Sequence, residues 1–186
     1  MISDTTLYTI GHSNHALELF FGLLHNHGIQ ILVDIRSFPS SQHNPQYNQQ
    51  NLREALQQQS ITYHWAGRQL GGKRERDAAD TRSSVHTRLA EALRPFAEYM
   101  QSAEFARATT QLINLAIKAP TAIMCAEADP MSCHRQLLAD YLILQGVRVM
   151  HIHSNNSLVV HELSPGARRE SAELIYDRLT TAQLNL

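Results

Sequence analysis

No run of the chain comes near the roughly 20 consecutive apolar residues that a membrane-spanning helix requires, so no membrane role is expected. An excess of one charge is lacking too: 16 Lys and Arg against 17 Asp and Glu leave a formal net charge of −1, with a pI near 6.8. That balance gives no global field for nucleic acid or acidic lipid. Cysteine is scarce, with two in 186 residues, which excludes a disulfide framework. The opening Met1-Ile2-Ser3-Asp4 lacks the basic-then-apolar pattern of a secretion signal. The expectation is a reducing cytoplasm and two free thiols. The 43% hydrophobic and 18% charged content suits a folded chain rather than a disordered one, and the whole span 1–186 reads as a single domain.

Strand-sized apolar runs alternate with helical ones. Residues 7–10 predict a short buried strand, after which Ser13 or Asn14 would cap a helix with Ala16, Leu19, Phe20, Leu23 and Leu24 on its apolar face. Gly28 ends that helix and residues 29–33 form the next strand. A polar loop is expected over 37–50, a helix over 51–59 and a strand over 61–65. The segment 66–84 carries almost no apolar residues and predicts a mobile loop. Helices follow over 86–94, 95–100 and 102–118. A strand at 122–124 then leads to a helix over 137–144, stopped by Gly146. Residues 147–152 form a strand, 158–160 an edge strand and 168–179 a closing helix. This rhythm predicts an α/β fold: one Rossmann-like domain whose mostly parallel sheet is flanked by helices.

Ligands of such sheets sit outside the carboxyl ends of the strands. The residues following the expected strands are Gly11-His12-Ser13-Asn14, Asp34-Ile35-Arg36, Trp65-Ala66-Gly67-Arg68 and Cys125-Ala126-Glu127. The last of these runs on to Cys133-His134-Arg135 at the start of a helix. With Asp129 or Ser132 as cap, Cys133 lies near the helix N-terminus, where His134 and Arg135 add positive charge and favour a thiolate. The same place suits a small cysteine buried under the helix, and both readings stand. Arg36 and Arg135 point either to an anion held bidentately or to internal ion pairs with Asp34 and Glu127. Seven residues separate Cys125 from Cys133, too loose for a zinc knuckle, so no metal is expected there; His12 or His134 would be needed to complete a site. The basic segment 68–82, with Gly71-Gly72, resembles a lid for a phosphate but lacks P-loop or dinucleotide spacing. No fingerprint names a cofactor. Of eleven histidines, only His12 and His134 are placed for chemistry.

The chain also resembles a bacterial and archaeal family catalogued as domain of unknown function family 488. The resemblance is carried by Tyr8-Thr9-Ile10-Gly11-His12-Ser13-Asn14, Val33-Asp34-Ile35-Arg36 with Pro39 and Ser41, and Asn44-Pro45-Gln46-Tyr47-Asn48. It continues through Leu70-Gly71-Gly72-Lys73, Phe96-Ala97-Glu98-Tyr99-Met100, Met124-Cys125-Ala126-Glu127 and Cys133-His134-Arg135. It spans about residues 7–153. It implies the α/β fold and the shared rim, and brings no reaction with it. Lys73 stands where the family more often has arginine, and lacks that residue's bidentate fork.

The functional expectation is an enzyme acting on a small anionic or nucleotide-like substrate. Cys125, Glu127, Cys133, His134, His12 and Asp34 would be catalytic, as nucleophile, redox thiol or proton carriers. Arg36, Arg135, Ser13, Gly71 and Gly72 would bind the substrate, with Trp65 or Tyr63 stacking on a flat group. One alternative is a nucleic-acid protein using 68–82 as a basic arm, which the near-neutral pI opposes. Another is a non-catalytic interaction or metal-binding domain.

Overall fold

Strands that are apolar on both faces need a cover on each, and the sequence supplies it by placing helices between strands. The computed structural model describes residues 5–75, 83–171 and 173–179. Its main sheet comprises β1 (Thr6–Gly11), β2 (Ile31–Asp34), β3 (Thr62–Trp65), β4 (Thr121–Cys125), β5 (Arg148–Ile152) and β6 (Leu158–Val160). Their order is β3-β2-β4-β1-β5-β6. All neighbours pair in parallel except β6, which runs antiparallel to β5.

The helices are α1 (Leu17–Asn26), α2 (Gln49–Gln58), the single turn α3 (Gly67–Leu70), α4 (Arg94–Tyr99), α5 (Ala103–Lys118) and α6 (Arg135–Leu144). Phe20 and Leu24 of α1 and Leu52 and Leu56 of α2 pack with Ile10, Leu32 and Met124 on one face. Phe96, Phe105, Leu112 and Leu138, from α4, α5 and α6, cover the other with Leu7, Val33 and Ile123. The α/β expectation therefore holds. No helix among the described residues is long and apolar enough to cross a membrane.

The strand order positions the site. β1 and β4 are neighbours, yet α1 leaves β1 toward one face and α6 follows β4 on the other. Chains that diverge to opposite faces open a crevice at the strand ends between them. The two loops stay paired across the mouth: His12 N–H donates to the Cys125 carbonyl at 3.0 Å and Ser13 N–H to that of Ala126 at 2.8 Å. Only a glycine admits this approach, because a Cβ on Gly11 would lie 1.9 Å from the Glu127 carbonyl oxygen.

Several local expectations are corrected. Neither Ser13 nor Asn14 caps α1: Ala16 precedes it without a side-chain cap, and Ser13, with φ of 47°, is spent on the turn toward Ala126. Leu19 is 45% exposed, so the buried face is Phe20, Leu23 and Leu24. The loop 37–50 contains a 3-10 turn, Pro45–Tyr47, that buries Tyr47 completely. The expected mobile loop begins with α3, anchored by buried Gly67 and Leu70; its segment 76–82 lies outside the described residues.

The helix expected over 86–94 is reduced to a 3-10 turn, Glu91–Leu93. Upstream backbone pairs elsewhere instead: Arg88 N–H donates to the Tyr176 carbonyl at 2.9 Å, and His86 Nδ1 accepts from Tyr176 N–H at 3.4 Å. Its partner replaces the closing helix of 168–179, which is a hairpin of β7 (Ala167–Glu170) and β8 (Glu173–Tyr176). Ser171 turns it with φ of 55°, and Arg168 grips Asp177 through Nε at 2.7 Å and Nη2 at 2.9 Å.

Candidate functional site

A cleft of about 740 Å³ opens at the ends of β1, β2 and β4, lined among others by His12, Arg36, Cys125, Glu127, Cys133 and His134. Six of the residues expected at the rim therefore share one cavity, to which Ser13 and Gly72 also contribute.

Arg135 organises the cleft floor. Its side chain is wholly buried, and its Nε donates to Cys125 Sγ at 3.0 Å and Cys133 Sγ at 3.3 Å. Its Nη2 donates to the carbonyls of Glu127 and Ala128, and its Nη1 reaches Thr9 Oγ1 at 3.4 Å. Among the described residues it touches no carboxylate. The two sulfurs lie 3.2 Å apart, and Cys125 Sγ is 3.0 Å from Glu127 Oε2. A thiolate at Cys125 would face that carboxylate with no proton between them, so the proton belongs on Cys125, whose single S–H is shared between Glu127 Oε2 and Cys133 Sγ. The hydrogen bond from Cys125, followed by the charge and amide of Arg135, brings Cys133 down to about 7. The bond to Cys133, with burial, pushes Cys125 up. Cys133 does not lie in the first turn of a long helix: Asp129 caps the 3-10 turn Pro130–Ser132, and Cys133 is extended before α6.

The second arginine is also turned inward. Arg36 donates through Nε to Asp34 Oδ1 at 2.9 Å and through Nη2 to Oδ2 at 2.6 Å. Asp34 is fully buried and further accepts from Arg36 N–H at 3.0 Å and the Tyr63 hydroxyl at 2.7 Å. Arg36 Nη1 meets His12 Nε2 at 3.1 Å. His12 Nδ1 therefore carries the proton, which it donates to the Ser13 carbonyl at 2.8 Å. The ring stacks on Tyr47 at 4.2 Å.

Tyr63 and Trp65 stand behind this layer, outside the cleft, where Trp65 Nε1 donates to the Arg36 carbonyl at 2.9 Å. Gly71 is likewise a packing position, since a Cβ there would fall 2.4 Å from Ser37 Oγ. Gly72 lies against His134, whose ring meets the edge of Phe96 at 5.2 Å and the Ile35 carbonyl at 3.2 Å.

The family model for the domain of unknown function DUF488 matches residues 16–142. The chain belongs to this family. The DUF488 match is shorter than the resemblance over 7–153, and it includes Asp34, Arg36, Cys125, Glu127 and Cys133-His134-Arg135 but not His12 or Ser13. Comparisons with curated proteins and with solved structures gave no match.

Sequence reasoning missed a buried chain that runs from Arg135 out of the DUF488 segment. Thr9 Oγ1 meets His151 Nδ1 at 2.7 Å, His151 Nε2 meets His161 Nδ1 at 2.9 Å, and His161 Nε2 meets Asp140 Oδ1 at 2.9 Å. Asp140 also accepts from Ser164 N–H and the Tyr176 hydroxyl. A carboxylate only accepts, which places a proton on His161 Nε2, then on His151 Nε2, then on Thr9. The signal was present: an acid at position 140 inside the apolar run of α6. The cleft wall of Ser37, Phe38, Ser40, Ser41 and Asn44 was missed because that loop has no periodicity.

Cys125, Glu127 and Cys133 are the group with metal-ligating geometry among the described residues, their ligand atoms lying within 4.8 Å of one another. A thiophilic divalent ion would find three ligands and an open position there. The guanidinium on both sulfurs opposes the added charge.

Burial first of all holds His12, His134 and His151 near 4, below the ordinary 6.5. The unfolded chain binds protons below 6.5 that the folded chain refuses until about 4, so stability is complete above this window and is lost as pH falls through it. Melting temperature measured at constant ionic strength is expected to drop steeply between pH 6.5 and 4. A flat profile there would show that these rings charge in place.

Proposed function

We propose that this DUF488 chain is an enzyme whose Cys133 thiolate attacks a small anionic or nucleotide-like substrate held in the rim cleft. What supports this above all is Arg135: a fully buried guanidinium with no carboxylate partner among the described residues needs an anion, and of its contacts, two backbone carbonyls, the Thr9 hydroxyl and the two sulfurs, the sulfurs are the ones that can become anionic. Cys125 then serves as the neighbouring acid, and exposed Glu127 exchanges its proton with water. Neutral His12 and the Asp34–Arg36 pair hold the wall in place rather than carry protons.

Substrate contacts fall to groups left open in the cleft. Lys73 supplies a cation, with its Nζ 5.1 Å from the Phe38 ring, and Phe38, 66% exposed, offers a face for a flat group. Ser13, Ser40 and Asn44 add hydrogen-bonding groups. Both thiols are free, as a reducing cytoplasm would keep them.

The test is the pH profile of iodoacetamide alkylation at each cysteine, read by mass spectrometry. Cys133 is expected to react with an inflection near 7, and Cys125→Ala, which removes the donor, to move that inflection upward. An inflection in the ordinary thiol range, about 8.5, would remove Cys133 as the nucleophile.

A further inference from the structure

We infer that Cys125 and Cys133 act together as a dithiol that reduces small anionic disulfides, Cys133 attacking and Cys125 resolving. The inference rests on the thiolate reading of Cys133 and extends it to a reaction class.

Three observations carry it. The sulfurs stand 3.2 Å apart, against a disulfide length of about 2.05 Å, so each is within attacking distance of whatever bonds to the other. Glu127 Oε2 lies 3.0 Å from Cys125 Sγ, a base on the thiol that must lose its proton before it can resolve. Both sulfurs line the cleft although each is nearly buried, which admits a small disulfide and excludes one carried on a folded protein.

The electrons balance as follows. The Cys133 thiolate attacks one sulfur of the substrate disulfide; the substrate S–S bond breaks, one thiolate leaves, and Cys133 is in a mixed disulfide. The Cys125 proton passes to the Glu127 carboxylate. The Cys125 thiolate then attacks Cys133 Sγ, expels the second thiolate and forms the Cys125–Cys133 disulfide. The substrate gains two electrons and the dithiol loses two. Two equivalents of a low-molecular-weight thiol reverse these steps and restore the dithiol. Arg135 favours that return, because oxidation removes the anion opposite a buried guanidinium and leaves the reduced form the better-compensated one.

The polar wall and Lys73 suit a disulfide bearing carboxylates, so the probe is the disulfide of thionitrobenzoate mixed with the reduced full-length chain at pH 7. The expected result is release of two equivalents of thionitrobenzoate, with a product lighter by two hydrogens and carrying no adduct. Cys125→Ser should release one equivalent and keep a mixed disulfide on Cys133. Glu127→Gln, a change at an exposed position, should slow the second release relative to the first by roughly tenfold or more. A fast first equivalent followed by a persistent adduct on the unaltered chain overturns the dithiol reaction and leaves the nucleophile standing. A first equivalent no faster than from a free thiol removes the nucleophile as well. Stoichiometric zinc binding that blocks both releases overturns the inference in favour of a metal centre.

Discussion

Arg135→Leu is expected to raise the alkylation inflection of Cys133 and to lower the melting temperature by roughly 10 °C. Two contributions hold the thiol near 7, the Cys125 hydrogen bond and then Arg135, while burial works against both. With the guanidinium gone, burial prevails over much of that range, and the thiolate share at pH 7 should fall by roughly tenfold. Stability falls for a separate reason. The carbonyls of Glu127 and Ala128 and both sulfurs lose their shared buried donor. Removing one member of such a buried set costs about 3–5 kcal/mol, and a chain of this size loses roughly 2–4 °C per kcal/mol. Arg135→Lys retains the charge but cannot span two sulfurs, two carbonyls and Thr9, so it should fall between leucine and the native chain on both measures. If leucine leaves the alkylation profile in place, Arg135 is not the counter-ion of Cys133.

The second large effect belongs to Asp34. Asp34→Asn replaces a carboxylate that accepts four hydrogen bonds, three from Arg36 and one from Tyr63. The amide turns an N–H group toward donors and leaves the Arg36 charge, 7% exposed, without its anion. A loss of about 3–5 kcal/mol is expected, against about 1 kcal/mol for Tyr63→Phe, which removes a single hydrogen bond. The decisive measurement is a double variant. Asp34→Asn with Arg36→Met should melt above Asp34→Asn alone, because it removes the stranded charge along with its partner. A double variant that melts lower would mean that Arg36 is held mainly by the Tyr47 carbonyl and His12 rather than by Asp34.

What the chain order determines was legible. Strands that follow one another through helices must present their carboxyl ends on one side, so His12, Asp34, Arg36, Cys125 and Glu127 could be gathered at a rim from spacing alone. How the side chains pair there was not legible. Arg36 lies two residues beyond Asp34, and periodicity does not say whether the guanidinium folds back onto it or faces a ligand. Tyr63 and Trp65 stand on the correct strand, yet their polar ends point at Asp34 and at the Arg36 backbone. Past β6 the local pattern misled, because Leu174, Ile175 and Tyr176 satisfy a helical spacing as well as a strand. The hairpin is selected by contacts with residues 86–88, roughly ninety positions earlier in the chain, which no local window contains.

Asp140 bears on where this fold can be cut. The ring of His161, the amide of Ser164 and the hydroxyl of Tyr176 all reach its carboxylate from positions beyond residue 142, where the DUF488 match stops. A fragment ended at that boundary would lack all three donors, together with β5, the parallel neighbour of β1, and would expose a sheet edge and an apolar flank of α6 to other chains. The shortest stretch that keeps all three donors therefore extends through Tyr176.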